Sequence, residues 1–110
     1  MSSGTEGKAL WEILVPAYWD ASQRSPYLSN DGVIPRTHHE VWDEQVRAIS
    51  GGMTIFKSGI GEWEASRERM IPVRFMATRD EALKLANFTK EHYKQFAVMV
   101  YKLSDEVFII

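Results

Sequence analysis

The chain contains no cysteine. Disulfides, zinc–thiolate sites and thiol nucleophiles are therefore excluded, and nothing in the composition requires an oxidising compartment. Long hydrophobic runs are also lacking, because every apolar stretch falls well short of the roughly 20 residues that a helix needs to cross a bilayer. We therefore expect a cytoplasmic protein with no membrane partner.

An excess of basic charge is lacking too. Thirteen Lys and Arg residues stand against fifteen Asp and Glu residues, which gives a net charge of −2. The basic residues are scattered along the chain, and some lie beside acidic ones, so no continuous basic surface is expected for nucleic acid. A polyanionic partner is therefore not expected.

The length of 110 residues allows one compact domain. The polar residues 1–8 are interpreted as a flexible N-terminus, and residues 9–110 as a single domain. A domain of this size buries only about two-thirds of its unfolded surface. Association with further copies of the chain is therefore a reasonable way to bury more.

The first part of the chain predicts a strand, a long loop and a helix. Residues 9–19 (ALWEILVPAYW) are apolar and strand-like except for Glu12. Residues 20–35 are polar and contain two prolines, which indicates a loop. The capping-box pattern Thr37-x-x-Glu40 predicts that the first helix begins there, and a second box, Thr78-x-x-Glu81, predicts the start of another.

Short strand-like segments surround these helices. They comprise residues 53–56, part of 57–69, 70–77, 97–103 and 106–110. The order β-α-β-β-α-β, with a C-terminal β-hairpin extension, predicts an α+β domain of ferredoxin-like arrangement. Both helices would cover one face of an antiparallel sheet, and the other face would be free to meet another subunit.

Two histidines, His38 and His39, open the first predicted helix. His39 and Asp43 are four residues apart and could form a metal-ligand pair. The favoured interpretation is a solvated first helical turn, because the helix dipole disfavours a protonated histidine at that end. We therefore expect no metal site and no cofactor.

Acidic residues surround a tryptophan in the middle of the chain. Glu62, Glu64 and Glu68 flank Trp63, and carboxylates can accept hydrogen bonds from ribose hydroxyls or face a cation. Trp63 could stack on a nucleobase or contact a sulfonium by cation–π attraction. The alternative is a solvated hairpin with Trp63 in the core.

Three further polar-aromatic residues are candidates for a binding pocket. Tyr18, Gln95 and Tyr101 lie near the ends of predicted strands or helices. Residues at such positions serve more often in packing or at an interface, so both interpretations stay open.

Several of these segments together resemble a known enzyme family. They are EILVPAY in the first strand, Gly61-x-Trp63, Val73-Arg74 before EALKLAN, and Gln95-x-x-Val98-x-Val100-Tyr101-Lys102. The chain resembles the small phage-encoded S-adenosylmethionine lyases, formerly called hydrolases. It is similar also to CRISPR-associated proteins that degrade an adenylylated S-adenosylmethionine.

The resemblance implies a ferredoxin-like homotrimer whose small adenosyl substrate binds between subunits. It also implies cleavage to 5′-methylthioadenosine, or its adenylylated counterpart, and homoserine lactone, without metal or cofactor. The family uses a tyrosine in the Gly-x-aromatic element and a glutamate shortly after it, which would correspond here to Trp63 and Glu68. Trp63 departs from that pattern because it has no phenol hydroxyl. The alternative function is a non-catalytic module, of phage or defence origin, that binds a nucleotide signal or inhibits a host enzyme.

Overall fold

The computed structural model describes residues 7–19, 32–50, 53–55, 59–63 and 66–108, with the backbone alone at 55, 59–63 and 66–68. The strands are β1 (Ala9–Pro16), β2 (Thr54–Ile55), β3 (Gly59–Trp63), β4 (Ser66–Ala77) and β5 (Val100–Ser104), and the helices are α1 (Arg36–Ser50) and α2 (Arg79–His92). The predicted α+β class is confirmed.

The sheet of the described residues is antiparallel. Its strands follow the order β2-β4-β1-β5, and β3 pairs with β4 as well. Strand β4 is long enough to pair with two neighbours on one side. Its first half faces β3, with Gly61 opposite Glu68, and its second half faces β2, with Thr54 opposite Arg74.

The core lies between one face of the sheet and the two helices. Alternate residues of β1 face this core, and Ile13 opposite Val73 is its centre. Helix α1 contributes Trp42 and Val46, which are one helical turn apart. These two side chains form the buried stripe of α1. The buried hydrophobic residues of this core are Ala9, Trp11, Ile13, Val15, Trp19, Ile34, Trp42, Val46, Val73, Phe75, Ala77, Ala82, Leu85 and Tyr93.

Helix α2 begins as the sequence predicts. Thr78 is its N-cap, its hydroxyl accepts from the backbone N–H of Glu81, and the Glu81 carboxylate accepts from the backbone N–H of Thr78. These backbone hydrogen bonds, together with nearby Lys8, hold the pKa of Glu81 below its ordinary value although burial opposes them. The reciprocal capping box is confirmed in full.

The capping box predicted for α1 is wrong. Helix α1 begins at Arg36, so Thr37 lies inside the first turn and not at its cap. The carbonyl of Pro35 accepts from the backbone N–H groups of His38 and His39. Proline fixes its own φ near the helical value and often precedes or opens a helix. This moves the start of α1 toward the N-terminus.

Two strand boundaries also differ from expectation. Strand β4 starts at Ser66, four residues before the predicted start, because residues 66–69 find partners in β3. Strand β5 runs to Ser104, and residues 106–108 lie outside the strands. The predicted C-terminal hairpin is therefore not confirmed. Residues 20–31 of the predicted loop lie outside the described residues.

Candidate functional site

One polar cluster crosses the face of the sheet opposite the helices. The strand register places Glu12 of β1 opposite Arg74 of β4 and opposite Tyr101 of β5. The Arg74 Nε–H donates to Glu12 Oε1 at 3.0 Å, and the Tyr101 hydroxyl donates to Glu12 Oε2. We call Glu12, Arg74 and Tyr101 the sheet-face cluster.

The Glu12 carboxylate is unusually enclosed for an acidic group. Its side chain is 11% exposed, whereas that of Arg74 is 43% exposed. A buried carboxylate is tolerated only when hydrogen bonds and an opposite charge replace its lost water. Arg74 and Tyr101 supply these to the two oxygens, one each. The cluster therefore presents a fixed, nearly neutral polar surface at the centre of this sheet face.

Apolar side chains surround the sheet-face cluster. On either side of Glu12, Leu10 and Leu14 point to the same face, as the alternation of a strand requires. Both are half-buried, as are Pro72 and Met76, their partners on β4. Among the described residues no helix packs on this face, since α1 and α2 both contribute to the core on the other one. An apolar face with a central polar cluster is suited to contact with a ligand or another subunit.

A second cluster joins the two helices at the start of α1 and the end of α2. His38 and His92 stack with their ring centroids 3.7 Å apart and their planes within 10° of each other. His39 Nδ1 lies 2.7 Å from the Tyr93 hydroxyl. We call His38, His39, His92 and Tyr93 the histidine cluster.

The interpretation of His38 and His39 as a solvated first turn is wrong. Both are half-buried and bonded to the end of α2. Burial is the main cause that lowers the pKa of each, and neighbouring histidines lower it further. Burial likewise raises the pKa of the Tyr93 hydroxyl well above its ordinary value, and raises that of Asp43. Helix packing thus favours the neutral forms of His38, His39 and Tyr93.

The described residues contain no group of three or more His, Asp or Glu side chains arranged to hold a metal ion. The stacked pair is unsuited to one because both Nε2 atoms already donate to backbone carbonyls, that of His38 to residue 92 and that of His92 to residue 38.

No helix in the described part of the chain is long and apolar enough to cross a membrane.

The predicted pocket residues that the structure describes do not all come together within one copy of the chain. Tyr101 belongs to the sheet-face cluster. Tyr18 forms a bridge with Val33 at the far end of β1, where the backbone N–H of Ala17 donates to the carbonyl of Arg69. The backbone of Glu68 lies at that same end of the sheet, six residues before Arg74 along β4. Six residues of strand span about 20 Å, so Glu68 and Tyr101 are separated by about that distance.

The remaining predicted residues are only partly placed. The amide of Gln95 lies 3.4 Å from the Tyr93 carbonyl, and its backbone N–H donates to Lys90, so Gln95 closes the end of α2. Glu62 and Trp63 lie on β3, where their backbones pair with Arg67 and Ser66. Glu64 lies outside the described residues.

Sequence reasoning missed Glu12 and Arg74 as members of a cluster. The available signal was the single carboxylate in an otherwise apolar strand, ALWEILVP. A charge in such a strand needs a partner from a neighbouring strand. The partner could not be named without the register that places β4 beside β1.

No protein-family model matches this chain, and no curated protein is significantly similar to it.

Proposed function

We propose that this protein is a lyase that cleaves S-adenosylmethionine, or its adenylylated derivative, to homoserine lactone and 5′-methylthioadenosine or the adenylylated counterpart. The observation that carries the proposal is the sheet-face cluster. It places Tyr101, one of the residues of the family resemblance, against the enclosed carboxylate of Glu12 in the middle of an apolar face that neither described helix covers. Such a surface can bind the apolar and polar parts of an adenosyl compound together.

The order of strands supports a ferredoxin-like fold as part of the same proposal. In that fold two β-α-β halves interleave, so that the first and third strands are central and the second and fourth are at the edges. Here β1 and β4 are central, while β2 and β5 flank them. Each of the helices connects a central strand with an edge strand in the chain order.

A homotrimer with shared pockets reconciles the positions of the predicted residues. Glu68 and Tyr18 lie at one end of the sheet, about 20 Å from Tyr101. One adenosyl ligand can contact both groups only if two copies of the chain contribute to one pocket. We propose that the apolar sheet face of one subunit, with Tyr101, meets the β3–β4 end of its neighbour, with Trp63 and Glu68.

The proposed reaction requires little from the protein besides positioning. The carboxylate of the methionine moiety attacks its own γ-carbon, a C–O bond forms, and the C–S bond breaks with its electron pair going to sulfur. The products are a lactone and a neutral thioether, and no proton is transferred. Since the carboxylate is already tethered to the carbon that it attacks, holding the chain in the attack conformation lowers the barrier by the cost of reaching that conformer, up to several kcal/mol.

The charges of the cluster suit this reaction. Carboxylate and sulfonium neutralise each other as the bond forms, so a surface of low polarity favours the transition state over the charged ground state. Arg74 and Tyr101 already compensate Glu12, and so the cluster does not hold the sulfonium as an unpaired anion would. Glu68 orients the substrate, with Trp63 against the adenine or the sulfonium. Glu62, Glu64 and Gln95 make secondary contacts with the substrate. The protein acts in the cytoplasm of a phage-infected or CRISPR-bearing cell.

The test is mass spectrometry of chelator-treated protein incubated with each of the two substrates in turn. We expect methylthioadenosine, or its adenylylated form, together with homoserine lactone, and the faster substrate identifies the physiological one. Glu68→Gln should lower turnover at least about tenfold, whereas the exposed helix residue Glu44 provides the matched control Glu44→Gln.

Each other outcome has a definite meaning. If both substrates return intact but one binds tightly, the lyase is refuted and the nucleotide-binding module takes its place. If neither binds, both adenosyl proposals fail. If turnover survives Glu68→Gln unchanged, the function stands and the assignment of Glu68 is wrong. Light scattering of the purified protein tests the trimer separately.

A further inference from the structure

All three histidines of the chain meet at one junction of the fold. The chain has three in total, and His38, His39 and His92 lie together where α1 begins and α2 ends. Residues 38 and 92 are 54 positions apart, so tertiary structure alone brings them together. The proposed lyase chemistry uses none of these side chains.

The stacked pair is held by two reciprocal hydrogen bonds. His38 Nε2 lies 2.6 Å from the His92 carbonyl oxygen, and His92 Nε2 lies 2.7 Å from the His38 carbonyl oxygen. A carbonyl can only accept, so each Nε2 carries a hydrogen and donates it. In the neutral state the proton-free nitrogen of each ring is therefore Nδ1, and protonation there would leave both hydrogen bonds in place while adding charge to the stack.

The groups that face the pair are aromatic or cationic. Phe88 stacks on the other side of His92 at 5.2 Å, and Tyr93 contacts both rings edge-on. From the end of α2, Lys94 adds positive charge near His38, and within α1 His39 is adjacent. The carboxylate of Asp43 acts on the Tyr93 hydroxyl. A first proton charges one ring, and a second would place two cations 3.7 Å apart between aromatic walls.

The same pair supports a short backbone ladder. Trp19 packs edge-on against His38 with ring centroids 4.8 Å apart. Its backbone N–H donates to the Gly32 carbonyl at 2.8 Å, and the N–H of Ile34 donates to Ala17. The imidazole of His38 therefore packs against Trp19 of this ladder, in which residues 17–19 pair with residues 32–34.

We propose that the stacked His38–His92 pair is an acid-sensitive clasp that fastens α1, α2 and the 17–19/32–34 ladder to one another and releases them when both rings become protonated. Above the ordinary pKa of histidine the rings are neutral in every state and the clasp is closed. As the pH falls through about 6.5, an opened state takes up protons that the closed stack resists. The free energy of opening therefore decreases as the pH is lowered.

Hydrogen exchange of single backbone amides tests the clasp directly. We expect the protection factors of Trp19 and Ile34 to fall between pH 7.5 and 5.5, by up to about tenfold per pH unit for each proton bound on opening. The amide of Ala82, which donates to Thr78 in the capping box of α2, is the internal control and should keep its protection.

Two variants separate the pair from its neighbour. His92→Gln retains an amide donor toward the His38 carbonyl but cannot be protonated, so the acid-dependent loss at Trp19 and Ile34 should become shallower, with His38 as the one protonatable ring left in the stack. His39→Gln, one residue from the pair, should leave that loss in place. Loss of the effect in His39→Gln, or an effect of unchanged size in His92→Gln, would overturn the clasp.

A measurement on the unaltered protein covers the case in which a variant does not fold. The imidazole carbon resonances of the two stacked rings, followed by NMR as the pH is lowered, should change over the same pH range in which the Trp19 amide loses protection. A change in the ring resonances with no change at Trp19 would refute the proposal.

Discussion

Removal of one hydroxyl from the core gives the sharpest test of how the helices are joined. The indole Nε1–H of Trp42 on α1 donates to the Thr89 hydroxyl of α2 at 2.8 Å, and that hydroxyl donates to the Leu85 carbonyl at 2.6 Å. Trp42 is 1% exposed and Thr89 is fully buried. Thr89→Val keeps the shape of the side chain but leaves the indole N–H without its acceptor, and no water can replace it.

The expected loss of stability in Thr89→Val follows from the burial of Trp42 and Thr89. An unsatisfied buried donor destabilises a protein by about 1–3 kcal/mol. The methyl group that replaces the hydroxyl recovers about 0.8 kcal/mol of apolar burial. The difference is about 0.2–2.2 kcal/mol, so we expect Thr89→Val to lower the free energy of unfolding by up to about 2 kcal/mol and Tm by about 4–8 °C for each kcal/mol.

A double-mutant cycle shows whether the indole is the cause. In the background Trp42→Phe there is no N–H to satisfy, so adding Thr89→Val should be nearly neutral. The assay is urea unfolding of the four proteins, and Thr37→Val, on the exposed side of α1, is the control for a threonine substitution elsewhere. Equal effects of Thr89→Val in both backgrounds would refute the reasoning.

Three other substitutions test single features. Tyr101→Phe removes a donor to the enclosed carboxylate of Glu12 and should destabilise by about 1–2 kcal/mol in urea unfolding; an unchanged midpoint would contradict the sheet-face cluster. Lys94 has a left-handed φ of 53° just after α2, so Lys94→Gly should raise Tm, whereas Lys94→Ala should not. Thr78→Ala removes half of the capping box and should lower stability by about 1 kcal/mol in thermal unfolding; Arg79→Ala, at the exposed next position, should have little effect.

Local sequence patterns determined much of the architecture. The apolar residues of 9–16, the Thr78-x-x-Glu81 box and the Trp42/Val46 spacing each rest on interactions within a few residues, and each is observed. Such features are readable because strand alternation, helix periodicity and capping are properties of short segments. The class of the fold follows from their order.

Predictions failed where a distant partner decided the outcome. Residues 66–69 look like a loop in isolation and become strand because β3 lies beside them. Thr37 has the side chain of a cap, but the Pro35 carbonyl already accepts the first N–H groups of α1. When a neighbouring residue or a distant strand offers a better hydrogen-bond partner, that partner determines the conformation and the local pattern does not.

The sequence by itself determined an α+β chain with two amphipathic helices, no thiol chemistry and a carboxylate isolated in an apolar strand. Only the tertiary structure decided that Arg74 and Tyr101 would enclose Glu12, and that the three histidines would meet between α1 and α2. The physical reason is that both clusters join side chains more than 50 residues apart. Strand register and helix crossing set those distances, and neither is encoded within any single segment.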